Sequence, residues 1–225
     1  MSKPLNAFGA STYQNIKCDI IFGHLATGAK LKLDGLRNRY ACSMLTLRET
    51  LNRLASDGFV DAPDQRGFFV RPVSVYDLIE LANLRVLLDC HALRLSVATG
   101  DTNWEGNLVA THHNLHPMEQ RMLVGDQSQK EDWRRYDWGF HLALIEACGS
   151  QNLLSLQAVL YDKYLRYQML VLTYRGEEAV NEHDAMFKAV LERKVDLCAE
   201  ILEQHIIEGP YHTLAAFNDK SILPG

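Results

Sequence analysis

The sequence predicts a mainly α protein in two parts: a winged helix-turn-helix over residues 1–72 and an all-α bundle of about six helices over residues 73–225. Three observations predict it. Leu47, Leu51 and Leu54 fall at i, i+4 and i+7 of SMLTLRETLNRLASDGFV, which puts them on one face of a helix. Two short β-prone runs, FVDAP and GFFVRPV, follow around the polar DQR, with Gly67 at the bend. Beyond Pro72 almost nothing reads as strand, and apolar residues such as Leu78, Leu81, Leu84 and Leu88 recur at helical spacing.

Residues 1–10 read as a flexible lead. From Ser11 to Leu25, Tyr13, Ile16, Ile20 and Leu25 lie near helical spacing, with Ser11 as N-cap. Gly28 turns the chain, AKLKL is a short extended piece, and Asp34 caps the short helix GLRNRYA with Leu36 and Tyr40 inward. Ala41-Cys42-Ser43 then turns into the leucine-striped helix. Thr46, Arg48, Thr50 and Arg53 are expected on or beside its outer face, and Gly58 stops it. Two short helices joined by a tight turn, the second amphipathic and basic, form a helix-turn-helix. The hairpin after it makes a wing carrying Arg66 and Arg71. In the second part, helical stretches are expected from about residue 76 and then at 103–123, 128–148, 150–174, 177–193 and 195–217, punctuated by Gly100, Gly125, Gly149, Gly176 and ERKVD.

A basic, hydroxyl-bearing helix face suits a DNA major groove, where Arg reaches guanine edges or phosphates and Thr bonds phosphate oxygens. Charge supports this. Residues 1–72 carry a net +4, whereas the rest carries −9 of the overall −5. The same pattern also occurs in ordinary helical domains, with the hairpin merely closing a small fold. With 225 residues, 47% hydrophobic and 23% charged, the chain has the composition of a soluble globular protein with a sizeable core. No apolar run approaches the roughly 20 residues of a membrane span. The opening MSKPLNAFGAS has no signal-peptide core, and five scattered cysteines without a C-x-x-C pair suggest reduced thiols in the cytosol.

Chemistry in the second part concentrates on Asp137, His141, His183 and His205. Asp137 and His141 are four apart and share a helical face, and each histidine is flanked by apolar residues. Three imidazoles and a carboxylate suit a divalent ion such as Zn, Ni, Co or Mn. Spacing alone does not bring the three helices together, and an isolated His is often only a hydrogen-bonded core residue. His112, His113 and His116 form a rival cluster, read as solvated, with Pro117 expected to interrupt the helix just after them. No G-x-S-x-G motif or phosphate-cradling glycine loop is present.

Nearly the whole chain resembles GntR-family transcription regulators of the FadR group, which join a winged helix to an all-α FCD-type domain. The resemblance rests on LRETLNRLASDGFV and RGFFV, then YDLIELANLRVLLD, D-x-x-F-H at Asp137–His141, EHDAMFKAV, and His205 22 residues beyond His183. It implies a homodimer on near-palindromic operator DNA. It also implies a divalent metal, zinc foremost, held by Asp137, His141, His183 and His205, with a small carboxylate effector beside it. Arg85 matches an arginine facing the effector cavity, although a salt bridge with Asp89 is equally open; Arg166 is a further candidate for that cavity. The ACGSQNLL stretch resembles the carbon-starvation regulator branch, which implies a short dicarboxylate such as glutarate. Residues expected at DNA are Arg37, Arg39, Ser43, Thr46, Arg48, Arg66 and Gly67. Met44 stands where an arginine contact is usual in the family, and Asp34 where a basic residue is common, so a different operator and a shallower salt dependence are expected. Repression relieved by effector is the expected behaviour. Two other readings stay open: a small metalloenzyme using the three-His, one-Asp site, and an interaction module that has lost DNA binding.

Overall fold

The structure, a computed structural model, describes residues 5–64, 66–171 and 174–220. Residues 1–4 of the expected lead, Gln65 of the expected bend and residues 172–173 of the expected fourth bundle helix lie outside them. Nine helices and three short strands are present among the described residues, in the order α1 (Leu5–Ile21), β1 (Lys30–Leu31), α2 (Leu33–Arg39), α3 (Met44–Ser56), β2 (Val60–Asp61), β3 (Phe68–Val70), α4 (Val75–Thr99), α5 (Thr102–Leu123), α6 (Lys130–Ile145), α7 (Gln151–Val171), α8 (Glu177–Leu191) and α9 (Val195–Lys220). The chain divides into two compact units. The first holds residues 1–78 with 161–172 and 217–225, the second residues 79–160 and 173–216.

In the first unit α1 begins at Leu5, so Ser11 lies inside the helix instead of capping it. Ala7 and Ala10 favour helix, and Gly9 weakens it by only about 1 kcal/mol. Helix α2 is capped by the backbone of Lys32 without a side-chain bond, which leaves Asp34 in the first turn, where its charge faces the helix N-terminus favourably. Leu36 is buried as expected, and the Tyr40 hydroxyl donates to Asp19.

Helix α3 starts where the sequence signals it. Ser43 is its N-cap, and its Oγ accepts the Thr46 N–H at 3.0 Å. Leu47, Leu51 and Leu54 are completely buried. Thr50 is buried with them, against the expectation of an outer position, because it sits beside Leu51 and Leu54 on the turn that packs inward. Arg53 lies over the Tyr13 ring at 4.2 Å, and the Tyr13 hydroxyl donates to Asp57 at 2.6 Å. The helix closes in a Schellman motif, with Gly58 N–H to the Ala55 carbonyl at 3.0 Å and Phe59 N–H to the Leu54 carbonyl at 2.9 Å. Gly58 has φ +79°, a conformation that favours glycine.

The expected hairpin forms from β2 and β3, but it is part of a three-stranded sheet of order β1-β3-β2. Strand β1, the core of AKLKL, pairs antiparallel with β3, setting Lys30 opposite Phe69 and Leu31 opposite Phe68. The inner residues Leu31, Val60, Phe68 and Val70 are buried.

In the second unit the expected helices appear with ends shifted by a few residues. Ser74 Oγ accepts the Asp77 N–H at 3.0 Å at the start of α4, and Asp101 accepts the Trp104 N–H at 2.9 Å at the start of α5. Pro117 does not end α5, which continues to Leu123. The ring deletes one helical bond, but Leu115 and Met122 are buried on either side of it and packing carries the helix past the gap. The interior collects Leu93, Phe140, Leu144, Met186, Val190, Leu202 and Ile206. Trp104 donates its indole N–H to the Ala143 carbonyl at 2.6 Å, tying α5 to α6.

Because Leu51 is fully buried, Leu51→Ala removes packed methyl groups and leaves a cavity. We expect a loss of about 2–5 kcal/mol in urea unfolding, whereas an unchanged midpoint would contradict the burial of α3.

Candidate functional site

Two regions carry the residues singled out by the sequence. On the first unit, Arg37 and Arg48 are exposed and make no ion pair among the described residues. Arg39 is held, with its guanidinium 2.6 Å from Asp19 and over the Tyr40 ring. Ser43 and Thr46 bond each other, Oγ to Oγ1 at 2.8 Å, at the first turn of α3. At the tip of the wing Arg66 is exposed and Gly67 has φ +90°, which favours glycine. The two hydroxyls, Arg37 and Arg48 therefore lie on the helix-turn-helix, with Arg66 and Gly67 at the end of the hairpin.

The second region is interior. Helix α6 supplies Asp137 and His141, α8 supplies His183 and α9 supplies His205. The three histidines offer ring nitrogens that all lie within 4.8 Å of one another. Asp137 faces the same point, with Oδ1 3.7 Å from His183 Nε2 and 4.0 Å from His141 Nε2. Its other oxygen accepts from Arg134 at 3.0 Å.

Two carboxylates absent from the expected set orient the rings. Glu119 of α5, 1% exposed, lies 2.6 Å from His183 Nδ1. Glu182 lies 2.6 Å from His205 Nδ1. A carboxylate at Nδ1 fixes the proton there and turns the basic Nε2 inward. His183 Nε2 is buried and has no hydrogen-bond partner among the described residues, as an atom reserved for a ligand would be. A buried set of three imidazoles and one carboxylate fits a borderline divalent cation. Glu182 could have been suspected from its place beside His183. Nothing in the sequence ties Glu119 to a histidine 64 residues away.

Burial pushes His141 and His205 well below the ordinary imidazole value, and neighbouring imidazoles add to the effect. Burial acts the same way on His183, but the Glu119 bond and the Asp137 and Glu119 charges outweigh it and raise its proton affinity. For Asp137 burial opposes ionisation, yet Arg134 and the three histidines hold it well below the usual carboxylate range. The cluster thus keeps its aspartate ionised and two imidazoles neutral, the states that bind metal.

Arg85 forms the ion pair with Asp89, at 3.0 and 3.2 Å, and both are buried inside the unit. Its charge also reaches the cluster, lowering His141 and His205. Arg166 belongs to the first unit and donates to Thr27 Oγ1 at 3.1 Å and to the Arg71 carbonyl. Nothing in the surrounding YDKYLRYQM signals these partners. The rival histidines do not gather a site either. His112 is not simply solvated: it stacks on Phe187 at 4.1 Å and bonds Asp184 at 2.9 Å, while His113 and His116 are exposed.

Family models match both parts of the chain. Residues 9–70 match the family model described as bacterial regulatory proteins, gntR family, and residues 80–208 match that of the FCD domain. The chain is 35% identical over 198 residues to the HTH-type transcriptional regulator BphR of Paraburkholderia xenovorans strain LB400, covering 87% of this chain and 81% of that protein. It is 30% identical over 203 residues to the HTH-type transcriptional repressor GlaR of Escherichia coli K12, covering 87% and 90%. Its fold matches that of E. coli McbR/YncC with a TM-score of 0.79 at 18% identity, over 97% of this chain and 100% of that one. A GntR transcriptional regulator from Rhodococcus sp. RHA1 matches with a TM-score of 0.74 at 19% identity, over 92% and 98%.

The buried imidazoles give a pH test on metal-free protein. Below the ordinary value of 6.5 the unfolded chain binds protons that folded His141 and His205 refuse. Stability therefore falls as pH drops from about 6.5 towards 5, by up to about 1.4 kcal/mol per pH unit for each of the two. The raised His183 acts above 6.5, with the opposite slope, and adds none below it. Denaturant unfolding across this range should show the fall, and His205→Asn should reduce its slope; an identical slope would refute the burial of a neutral His205.

Proposed function

The chain belongs to the GntR family of bacterial regulatory proteins, DNA-binding transcription regulators of the helix-turn-helix type, and carries an FCD domain; from that premise we propose that it is a repressor released by a small carboxylate bound beside a divalent metal. The observation that carries this reading is the convergence of three imidazoles and Asp137 in the bundle interior, with the Arg85 charge close enough to act on two of them. We assign residues 1–72 to DNA binding and residues 73–225 to effector and metal.

In the metal role, Asp137, His141, His183 and His205 would hold the ion, zinc foremost and Ni, Co or Mn as alternatives. The ion would supply positive charge for an effector carboxylate and hold α6, α8 and α9 together. Glu119 and Glu182 keep His183 and His205 in the ligating tautomer. Arg85 would bind the effector carboxylate in two-pronged fashion, which its side chain favours over a lysine. A short dicarboxylate such as glutarate matches this set of one arginine and one metal. In the DNA role, Arg37, Ser43, Thr46 and Arg48 would meet the major groove, with Arg39, Arg66 and Gly67 at its backbone edges. A homodimer would present two such helices to a near-palindrome. The exposed Leu84 and Leu87 on α4 give a surface that could be covered in it. Among the described residues no helix is long and apolar enough to cross a membrane. Five free cysteines suit the reducing cytosol, where operator DNA is found.

Repression follows the name of GlaR. The effector must bind one arrangement of the protein better than another, since only that difference shifts operator occupancy. The metalloenzyme reading finds no support among these relatives.

Recovery of fragmented genomic DNA on the purified protein, with and without glutarate and related acids, tests the reading. A shared near-palindromic site lost with one acid is the expected result; diffuse, salt-sensitive recovery with no common site would sink it. Arg85→Ala should keep the site and lose the response to acid. Elemental analysis should find a divalent ion that His183→Ala fails to retain, and equal metal content in both proteins would remove the metal from the proposal.

A further inference from the structure

The outward face of α3 carries Leu45, Arg48, Glu49 and Asn52, all exposed and spaced at i, i+3, i+4 and i+7. Three of them are polar. Leu45 is not, yet it is 69% exposed, while the other three leucines of the helix are completely buried. Because it stands on the face opposite the packed stripe, in the first turn beyond the Ser43 cap, it does nothing for the core. N-terminal residues of a recognition helix are those that reach base edges. In the major groove the one apolar feature a base offers is the thymine C5-methyl group.

We propose that Leu45 reads a thymine methyl in the operator and so sets this chain's sequence preference. The inference rests on the DNA-binding reading above. Met44 and Thr46 flank it and are partly covered, so Leu45 is the outermost apolar group of that turn. Arg48 lies one helical turn further on, with its Cβ about 5–6 Å from that of Leu45. Successive base pairs are about 3.4 Å apart. If Arg48 binds a guanine edge, the thymine read by Leu45 falls one or two base pairs away. The half-site should therefore hold a T close to a G, and the contact should depend on a single methyl group.

That dependence can be tested without disturbing the protein. Once an operator is in hand, each of its thymines is replaced singly by deoxyuridine, which deletes only the C5-methyl, and Kd is measured for the full-length wild type and Leu45→Ala. Since Leu45 is exposed, the variant should melt within a few degrees of wild type. The expected result is one thymine per half-site at which deoxyuridine weakens wild-type binding about fourfold, the factor for one buried methyl-sized group. In Leu45→Ala the same replacement should make no difference. If no thymine shows a methyl effect in the wild type, or if the effect persists unchanged in Leu45→Ala, the proposal is overturned while operator binding stands. If the wild type binds no specific site at all, both readings fail together.

Discussion

Three imidazoles and an ionised aspartate in the interior of a helical bundle are the constraint to which much of the second unit answers. Each would cost several kcal/mol to desolvate without a partner. The surroundings show how the cost is met. Arg134 takes one oxygen of Asp137, Glu119 takes Nδ1 of His183, and Glu182 takes Nδ1 of His205. Arg175 in turn holds Glu182 at 2.9 Å and pairs with Glu208. Glu119 and Glu182 engage Nδ1 atoms, and at the centre His183 Nε2 is left without a hydrogen-bond partner among the described residues. A cation would complete that atom.

The electrostatic balance points the same way. Glu119, Glu182, Asp137 and Glu208 bring four negative charges, against Arg134, Arg175 and Arg85. The raised proton affinity of His183 marks the excess. With Glu119 occupying Nδ1, a proton taken up by His183 would land on Nε2, where a metal would also bind. Proton and metal would therefore compete for one atom, and Glu119 would help set the pH at which a cation could load.

Much of this was legible in the sequence, for a physical reason: helical periodicity is local. The leucine stripe of α3, the turn into it at residues 41–43, the stop at Gly58 and the shared face of Asp137 and His141 all follow from local spacings. Features that depend on distant pairing were not. AKLKL becomes a third strand only because β3 offers it a free edge. Thr50, three after Leu47 and four before Leu54, was open to the local rule, but its polar side chain pointed the reading outward. Arg166 binds a carbonyl 95 residues away, which no local pattern encodes. Pro117 was read by its intrinsic dislike of helix, and the packing of Leu115 and Met122 overrode it. Leu45 lies two residues before Leu47 and so off the leucine stripe, but its exposure, which gives it a role, comes only from the structure.

In the proposed regulation, Arg85 would link the charge balance to effector binding. Its guanidinium already holds Asp89, four residues along the same helix and equally buried. Burial raises the proton affinity of Asp89, and Arg85 only partly offsets this. An effector carboxylate that reached Arg85 would therefore share or replace a partner that is poorly solvated, and the exchange would cost less than stripping a carboxylate from water-exposed arginine. It would also leave Asp89 in need of a proton or a new donor. The local response to such a ligand is then a rearrangement along α4 and not only a filled cavity. A change of partner has two discrete states, and a ligand that favours one of them can shift an equilibrium in a way that uniform binding cannot.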